Sequence, residues 1–208
     1  MRSRLMAAVL LLGCLAGTRL ASAAGVSQPS AAELMDIVMW NREPVGGPFR
    51  LVDHRGKVRT DADFRGRLML VYFGFTLCPD ICPTDLQQIS LVMQELGPAG
   101  EAVAPLFITL DPERDTQQLL AEYVPAFHAR LTGLTGDAKS IARAARAYKV
   151  YYAKVATRGR SRYTIDHSSF VYLMGRDGKY LGYFPPGTSA ARMLEVLRPH
   201  LAAAPDKH

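Results

Sequence analysis

The chain has 208 residues, of which 25 are Lys or Arg and 19 are Asp or Glu, and about half are apolar. This length and balance fit one globular domain with terminal extensions and argue against two full domains. Three arginines among the first 23 residues account for half of the formal charge of +6, and the chain has no run of Lys or Arg. Nucleic-acid binding is therefore excluded.

The N-terminus has the pattern of an export signal. Arg2 and Arg4 form a basic region, residues 5–15 an apolar region, and residues 21–23 (Ala-Ser-Ala) a site that signal peptidases accept. We therefore predict a secretory signal peptide over 1–23 and a periplasmic or otherwise extracytoplasmic protein. Two alternatives stay open, namely lipid attachment at Cys14 and retention of this segment as a membrane anchor. In either case the protein would be tethered to the inner membrane.

The rest of the chain divides into a linker over 24–43, one domain over 44–202 and a short tail over 203–208. Apolar runs, helical spacing and turn residues define the elements of the domain. Strands are predicted over 49–52, 68–75, 103–110, 170–174 and 180–184, and helices over 84–96, 116–123, 140–148 and 188–201. This alternation predicts an α/β, thioredoxin-like fold, in which helices flank a central mixed sheet that ends in a C-terminal hairpin and helix.

Removal of the leader leaves two thiols, in the motif Cys78-Pro79-Asp80-Ile81-Cys82-Pro83. Pro83 suits the first position of a helix, which places Cys82 at the cap and both sulfurs near the helix N-terminus, where thiolate is favoured. Residues four apart on a helical turn have Cβ atoms about 5–6 Å apart, slightly long for a disulfide. The spacing therefore permits both a disulfide and a metal held between the sulfurs.

A third ligand is predicted far along the chain. His167 lies in a loop that enters the strand at 170–174, and in a thioredoxin-like sheet this loop faces the cysteine loop. Two thiolates and one imidazole suit Cu(I) and can also hold Cu(II), whereas zinc normally takes a fourth ligand. Asp166 could orient this loop or contact the metal. We therefore predict one copper ion per chain on Cys78, Cys82 and His167.

The cysteine pair also fits functions in which copper has no part. A thiol activated by the helix dipole also suits a thiol–disulfide oxidoreductase, and a peroxiredoxin-like peroxidase or an inert disulfide are weaker alternatives. The segment 109–115 (TLDPERD) is expected to have a structural role. The remaining histidines are assigned no function: His54, His128, His200 and His208.

Four stretches of the chain resemble the Sco (SenC-type) proteins, which are copper chaperones for cytochrome c oxidase. They are YFGFTLCPDICPTDL (72–86), TLDPERDT (109–116), LTG (131–133) and YTIDHSSFVYLM (163–174). The resemblance covers roughly 44 to 200 and implies a thioredoxin-like fold with copper on Cys78, Cys82 and His167. It also implies a partner, the copper-receiving subunit of the oxidase. The protein would either deliver copper to the dinuclear copper centre of this subunit or reduce the subunit's cysteines. A second periplasmic copper donor is a further candidate partner. Gln117 stands where the family usually has Pro, and many relatives keep an N-terminal membrane anchor.

Overall fold

The structure, a computed structural model, describes residues 44–157 and 163–202. The predicted signal peptide, linker and tail lie outside the described residues. No helix within the described ranges combines the length and apolar character needed to cross a membrane.

Nine strands and four α-helices form the described part of the chain, with short 3-10 turns between some of them. The strands are β1 (Arg50–Asp53), β2 (Val58–Thr60), β3 (Leu68–Gly74), β4 (Val103–Thr109), β5 (Thr132–Thr135), β6 (Tyr152–Ala156), β7 (Tyr163–His167), β8 (Val171–Met174) and β9 (Tyr180–Phe184). The helices are α1 (Ile81–Leu96), α2 (Gln117–Tyr123), α3 (Ala138–Ala147) and α4 (Ala190–Ala202). Seven strands form one sheet in the order β2-β1-β5-β4-β3-β8-β9, and β6 pairs with β7 in a separate hairpin.

The centre of the main sheet is the parallel pair β3 and β4, in which every residue is buried. Continuous apolar runs form such strands because both faces of the sheet are covered. β8 pairs antiparallel with the other side of β3 and continues into β9 through a turn, while α1 and α4 pack against each other. The predicted mixed α/β sheet, with its C-terminal hairpin and helix, is therefore confirmed.

The start of α1 differs from the prediction. The helix begins at Ile81 with Asp80 as its cap, so that Cys82 and Pro83 are its second and third residues. Proline is tolerated there because the first backbone N–H groups of a helix have no partner within the helix. The prediction that Cys82 is the cap residue was wrong, but both sulfurs still lie at the N-terminus of the helix.

The sequence also did not predict the hairpin of β6 and β7. The segment that carries His167 was expected to be a loop, but it is a strand, and His167 pairs with Tyr152 at the end of this hairpin. β6 is partly or fully exposed along its length, so it lacks the apolar alternation that marks a strand packed on a core.

Candidate metal centre

Three potential metal ligands meet at the carboxyl end of β3. Cys78 lies in the loop after this strand, Cys82 in the first turn of α1, and His167 at the end of β7. Their ligand atoms all lie within 4.8 Å of one another, and Sγ of Cys82 is 3.4 Å from Nε2 of His167. The fold therefore brings together the residues that the sequence singled out, although 85 positions separate Cys82 from His167.

The two thiols differ in their electrostatic surroundings. A hydrogen bond from the Cys82 thiol is the main cause that lowers the pKa of the Cys78 thiol; burial opposes it, and the backbone N–H groups of Cys82 and Asp80 assist. The same hydrogen bond, together with burial, raises the pKa of Cys82. The backbone N–H of Cys82 lies 3.4 Å from Sγ of Cys78. The half-buried Cys78 is therefore the thiol of the pair that ionises more readily, and the buried Cys82 the one that keeps its proton longer.

The imidazole of His167 is oriented for coordination through Nε2. Its Nδ1 lies 3.0 Å from the carbonyl oxygen of Ser168, and because a carbonyl only accepts hydrogen bonds, the proton of the neutral ring is assigned to Nδ1. Nε2 then carries the lone pair that faces the sulfurs. The ring also packs edge-on against Tyr72 and Phe75, which limits its rotation. This arrangement fixes the tautomer that a metal ligand needs.

The loop after β4 holds the cysteine segment in place. The buried carboxylate of Asp115 accepts hydrogen bonds from the backbone N–H of Thr76 at 3.0 Å and from the Thr76 hydroxyl at 2.6 Å. The hydroxyl of Thr109 donates a third, also at 2.6 Å. Thr76 is two residues before Cys78, so this contact fixes the approach of the first cysteine to the site.

The same loop also holds the histidine hairpin. The guanidinium of Arg114 stacks 3.8 Å from the centre of the Tyr163 ring and donates to the Tyr163 carbonyl oxygen at 3.0 Å. Arg114 also pairs with Asp111, and Lys154 of β6 pairs with Glu113 at 2.8 Å. The segment 109–115 therefore has the structural role that the sequence predicted, and it connects both parts of the chain that carry ligands.

Gly74 is required because the sulfur of Cys82 lies very close to its backbone. A Cβ atom on this residue would lie 2.9 Å from Sγ of Cys82, 3.0 Å from the ring of Tyr72 and 3.1 Å from the ring of Phe107. Contacts this short need a shift of the neighbouring atoms, so a side chain at position 74 would displace the sulfur. The sequence offered no signal for this role, because a glycine at the end of an apolar run is also typical of an ordinary turn.

The first turns of α1 also anchor the loop before α4. Oδ1 of the buried Asp85 accepts the backbone N–H of Gly187 at 2.9 Å, and Gln88 accepts that of Ala190 at 2.9 Å. Burial raises the pKa of Asp85, and the hydrogen bond from Gly187 opposes this effect. The sequence did not identify Asp85 as part of the support of the site.

Asp166 is an exposed residue of β7, next to His167. Neighbouring side chains of a strand point to opposite faces, so its carboxylate is directed away from the face that carries the imidazole. The role predicted for Asp166 stays a prediction.

The fold and this site define a class of protein: a thioredoxin-like domain that gathers two thiols and one imidazole at the carboxyl end of its central strand. The family model described as SCO1/SenC matches residues 39–202. The chain belongs to this family, as the motifs of the sequence indicated.

Relatives and solved structures agree with this assignment. The chain is 48% identical over 159 residues to the mitochondrial protein SCO2 homolog of Bos taurus, a match that covers 76% of this chain and 60% of the bovine protein. The structure of Bradyrhizobium japonicum ScoI with copper bound is 40% identical, with a TM-score of 0.70 over 75% of this chain and 99% of that one. The structure of Arabidopsis thaliana ScoI with copper bound is 37% identical, with a TM-score of 0.71 over 76% and 98%. These matches confirm the predicted thioredoxin-like fold.

Proposed function

We propose that this protein is a copper metallochaperone that binds one Cu(I) or Cu(II) ion through Cys78, Cys82 and His167. The proposal rests on one observation: the two cysteine sulfurs and a ring nitrogen of the histidine lie within 4.8 Å of one another. Thiolates and imidazole are the ligands that copper prefers in proteins. The copper-bound structures of two relatives support the same assignment.

The number of ligands favours copper over zinc. Across residues 44–157 and 163–202, no fourth His, Cys, Asp or Glu side chain joins the cluster. Structural zinc sites almost always use four protein ligands, whereas Cu(I) is satisfied by three. The half-buried Cys78 and the exposed Leu77 beside it leave one side of the site open. A partner can therefore approach and exchange ligands one at a time.

The proposed recipient is the copper-receiving subunit of cytochrome c oxidase, and a second periplasmic copper donor would load the site. The resemblance to the Sco family supports this partner, and the export signal predicted from the sequence supports an extracytoplasmic location. In this function the Cys78 thiolate would bind copper first, Cys82 would lose its proton on binding, and Nε2 of His167 would complete the site.

Copper content and absorbance test the proposal. The reduced full chain is expected to take up about one copper per chain and, with Cu(II), to show the visible absorbance of a copper–thiolate complex. His167→Ala is expected to weaken Cu(II) binding by at least about 100-fold, since loss of a ligand lowers metal affinity more than loss of a residue that only hydrogen-bonds to a ligand. His200→Ala, in α4, is the matched control. Equal binding by His167→Ala and the parent would refute the ligand assignment.

A thiol–disulfide oxidoreductase is the second candidate, because the pKa of Cys78 is lowered and its sulfur is partly accessible. The Cys78 thiolate would attack one sulfur of the partner's disulfide and release the other as a thiolate. Cys82 would lose its proton to that thiolate and attack Cys78, so that a Cys78–Cys82 disulfide forms and the partner leaves with two reduced cysteines. Disulfide reduction that survives His167→Ala would favour this candidate.

A further inference from the structure

A polar cavity lies at the opposite end of the central strands from the candidate metal centre. Its volume is about 330 Å³, and it is formed where β4 begins and β1 ends. β4 spans the sheet with seven residues, so roughly 20 Å separate the two sites. The lining side chains that carry the argument are Asp53, His54, Arg55, Arg59, Arg67 and Arg130.

The lining has an excess of positive charge. Four arginines face two acids, and both acids have a partner: Asp53 binds Arg59 at 2.8 Å and Glu101 lies 3.8 Å from Arg130. The Asp53 carboxylate also accepts the backbone N–H groups of Arg55 and Lys57, each at 2.9 Å. Among the described residues, neither Arg55 nor Arg67 forms an ion pair with a carboxylate. Arg55 is exposed; the guanidinium of Arg67 lies 5.7 Å from the centre of the Phe64 ring, and its Nη2 donates a long hydrogen bond of 3.5 Å to the carbonyl oxygen of Asp63. The remaining N–H groups of both guanidinium groups are left to bind an external anion.

His54 adds a donor of a different kind. The residue is 8% exposed, and its Nδ1 accepts the backbone N–H of Gly133 at 3.2 Å. The proton of the neutral ring is thus assigned to Nε2, which makes the imidazole a hydrogen-bond donor in the wall of the cavity. Burial and then the charge of Arg55 lower the pKa of His54. Sequence reasoning had given this histidine no function.

We propose that this cavity binds the phosphate group of a small phosphorylated molecule or of a phospholipid head group. A guanidinium group can donate two parallel hydrogen bonds to two oxygens of one phosphate. Arg55, Arg67 and Nε2 of His54 offer hydrogen-bond donors only, which suits a phosphate as the acceptor. The volume is at the lower end of the range for small-molecule sites and exceeds that of a lone phosphate ion. A phosphate that carries an organic group therefore fits both the charge and the space.

Three probes test the site and distinguish the two sources of phosphate. Inorganic phosphate, glycerol 3-phosphate, and phosphatidylcholine vesicles with and without phosphatidylglycerol are titrated into the full reduced chain, and binding is measured by calorimetry and by the ring resonances of His54. Glycerol 3-phosphate is expected to bind more tightly than inorganic phosphate. Binding only to soluble probes supports a small molecule; binding to vesicles only when they contain phosphatidylglycerol supports a lipid head group.

Arginine variants locate the binding. Arg67→Gln and Arg55→Gln are each expected to weaken glycerol 3-phosphate binding about tenfold, the effect of one charged hydrogen bond. Arg143→Gln, in α3 and outside the cavity, is the matched control and is expected to bind as the parent does. Copper uptake should be unchanged in all three variants, so the result is independent of the proposed function. No binding of any probe, equal binding by the variants and the control, or tighter binding of a dicarboxylate would overturn the proposal.

Discussion

The hydroxyl group of Tyr163 donates a hydrogen bond of 2.8 Å to the carboxylate of Asp111, across 52 positions of sequence. Tyr163 begins the strand that ends in His167, and Asp111 belongs to the loop whose Asp115 holds Thr76 near Cys78. One loop therefore sets the distance between the imidazole and the sulfurs. The candidate metal centre therefore depends on residues outside its ligand set, because they position the segments that carry Cys78 and His167.

Removal of the Tyr163 hydroxyl tests this positioning. Tyr163→Phe keeps the ring that stacks on Arg114 but loses the hydrogen bond to Asp111, so the free energy of unfolding should fall by about 1–2 kcal/mol. Copper binding should weaken about tenfold, as expected for a residue that supports a ligand. Urea unfolding and a competitive copper titration measure the two effects. Tyr151→Phe, at an exposed tyrosine, is the control, and equal copper affinity in both variants would contradict the role of the loop.

A methyl group at position 74 tests the close approach of Cys82. Gly74→Ala is expected to lower the free energy of unfolding by about 1–3 kcal/mol, the usual cost of an overpacked core, and to weaken copper binding because Sγ must move. Gly182→Ala, in β9, is the matched control, since a Cβ atom there meets nothing within 4 Å. Thermal unfolding and copper titration compare the two variants. A Gly74→Ala protein that behaves like Gly182→Ala would show that the sulfur is not confined.

The lowered pKa of Cys78 predicts an unusual pH dependence of alkylation. Because the pKa of Cys78 is lowered to about 4, the rate of its alkylation by iodoacetamide should be nearly constant around neutrality and fall only in acid. Cys82→Ala removes the partner thiol whose hydrogen bond is the main cause of the shift, whereas a serine hydroxyl at this position would still donate. We expect the pKa of Cys78 to rise towards its usual value in this variant. Mass spectrometry of the alkylated chain across a pH series measures both profiles, and identical profiles would rule out this cause.

The ion pair of Asp53 and Arg59 predicts the pH dependence of stability. Burial raises the pKa of Asp53, but the hydrogen bonds from Arg59, Lys57 and Arg55 outweigh it and hold the pKa below its usual value. A carboxyl group whose folded-state pKa is lowered stabilises the fold above its unfolded-state pKa. That contribution is lost as the pH falls towards the lower, folded value.

Asp53→Asn should therefore lower the free energy of unfolding by about 2 kcal/mol at neutral pH, and the difference from the parent should shrink in acid. Urea unfolding in phosphate-free buffer over a pH series measures it, since phosphate is a proposed ligand of the neighbouring cavity. A difference that stays constant with pH would mean that the Asp53 charge contributes nothing.

The core and the ligand types could be predicted from the sequence. Leu68–Gly74 and Val103–Thr109 are buried throughout and almost entirely apolar, and such runs become central strands wherever both faces are covered. The cysteine motif follows the first of these runs directly, so its place at the carboxyl end of the strand did not depend on distant contacts. Thiolate and imidazole chemistry then identified copper as the metal to expect.

The hairpin of β6 and β7 could not be predicted in the same way. Its two strands belong to a separate sheet, and three of the five residues of Tyr152–Ala156 are exposed, so local periodicity carried little information. The stacking of Tyr163 on Arg114 joins residues 49 positions apart. Such a contact depends on how the hairpin packs against the loop after β4.

The sequence by itself determined which chemistry is available: two thiols beside a helix N-terminus and an imidazole next to a buried strand. Only the tertiary structure decided that these three groups meet and that Nε2 of His167 faces the sulfurs. It also decided that a charged cavity lies at the other end of the central strands. The physical reason is that residue identity sets the pKa range and ligand preference of a group locally. Distances between groups 50 to 85 positions apart depend instead on how the buried strands align and on the loop of Asp111 and Asp115 that connects them.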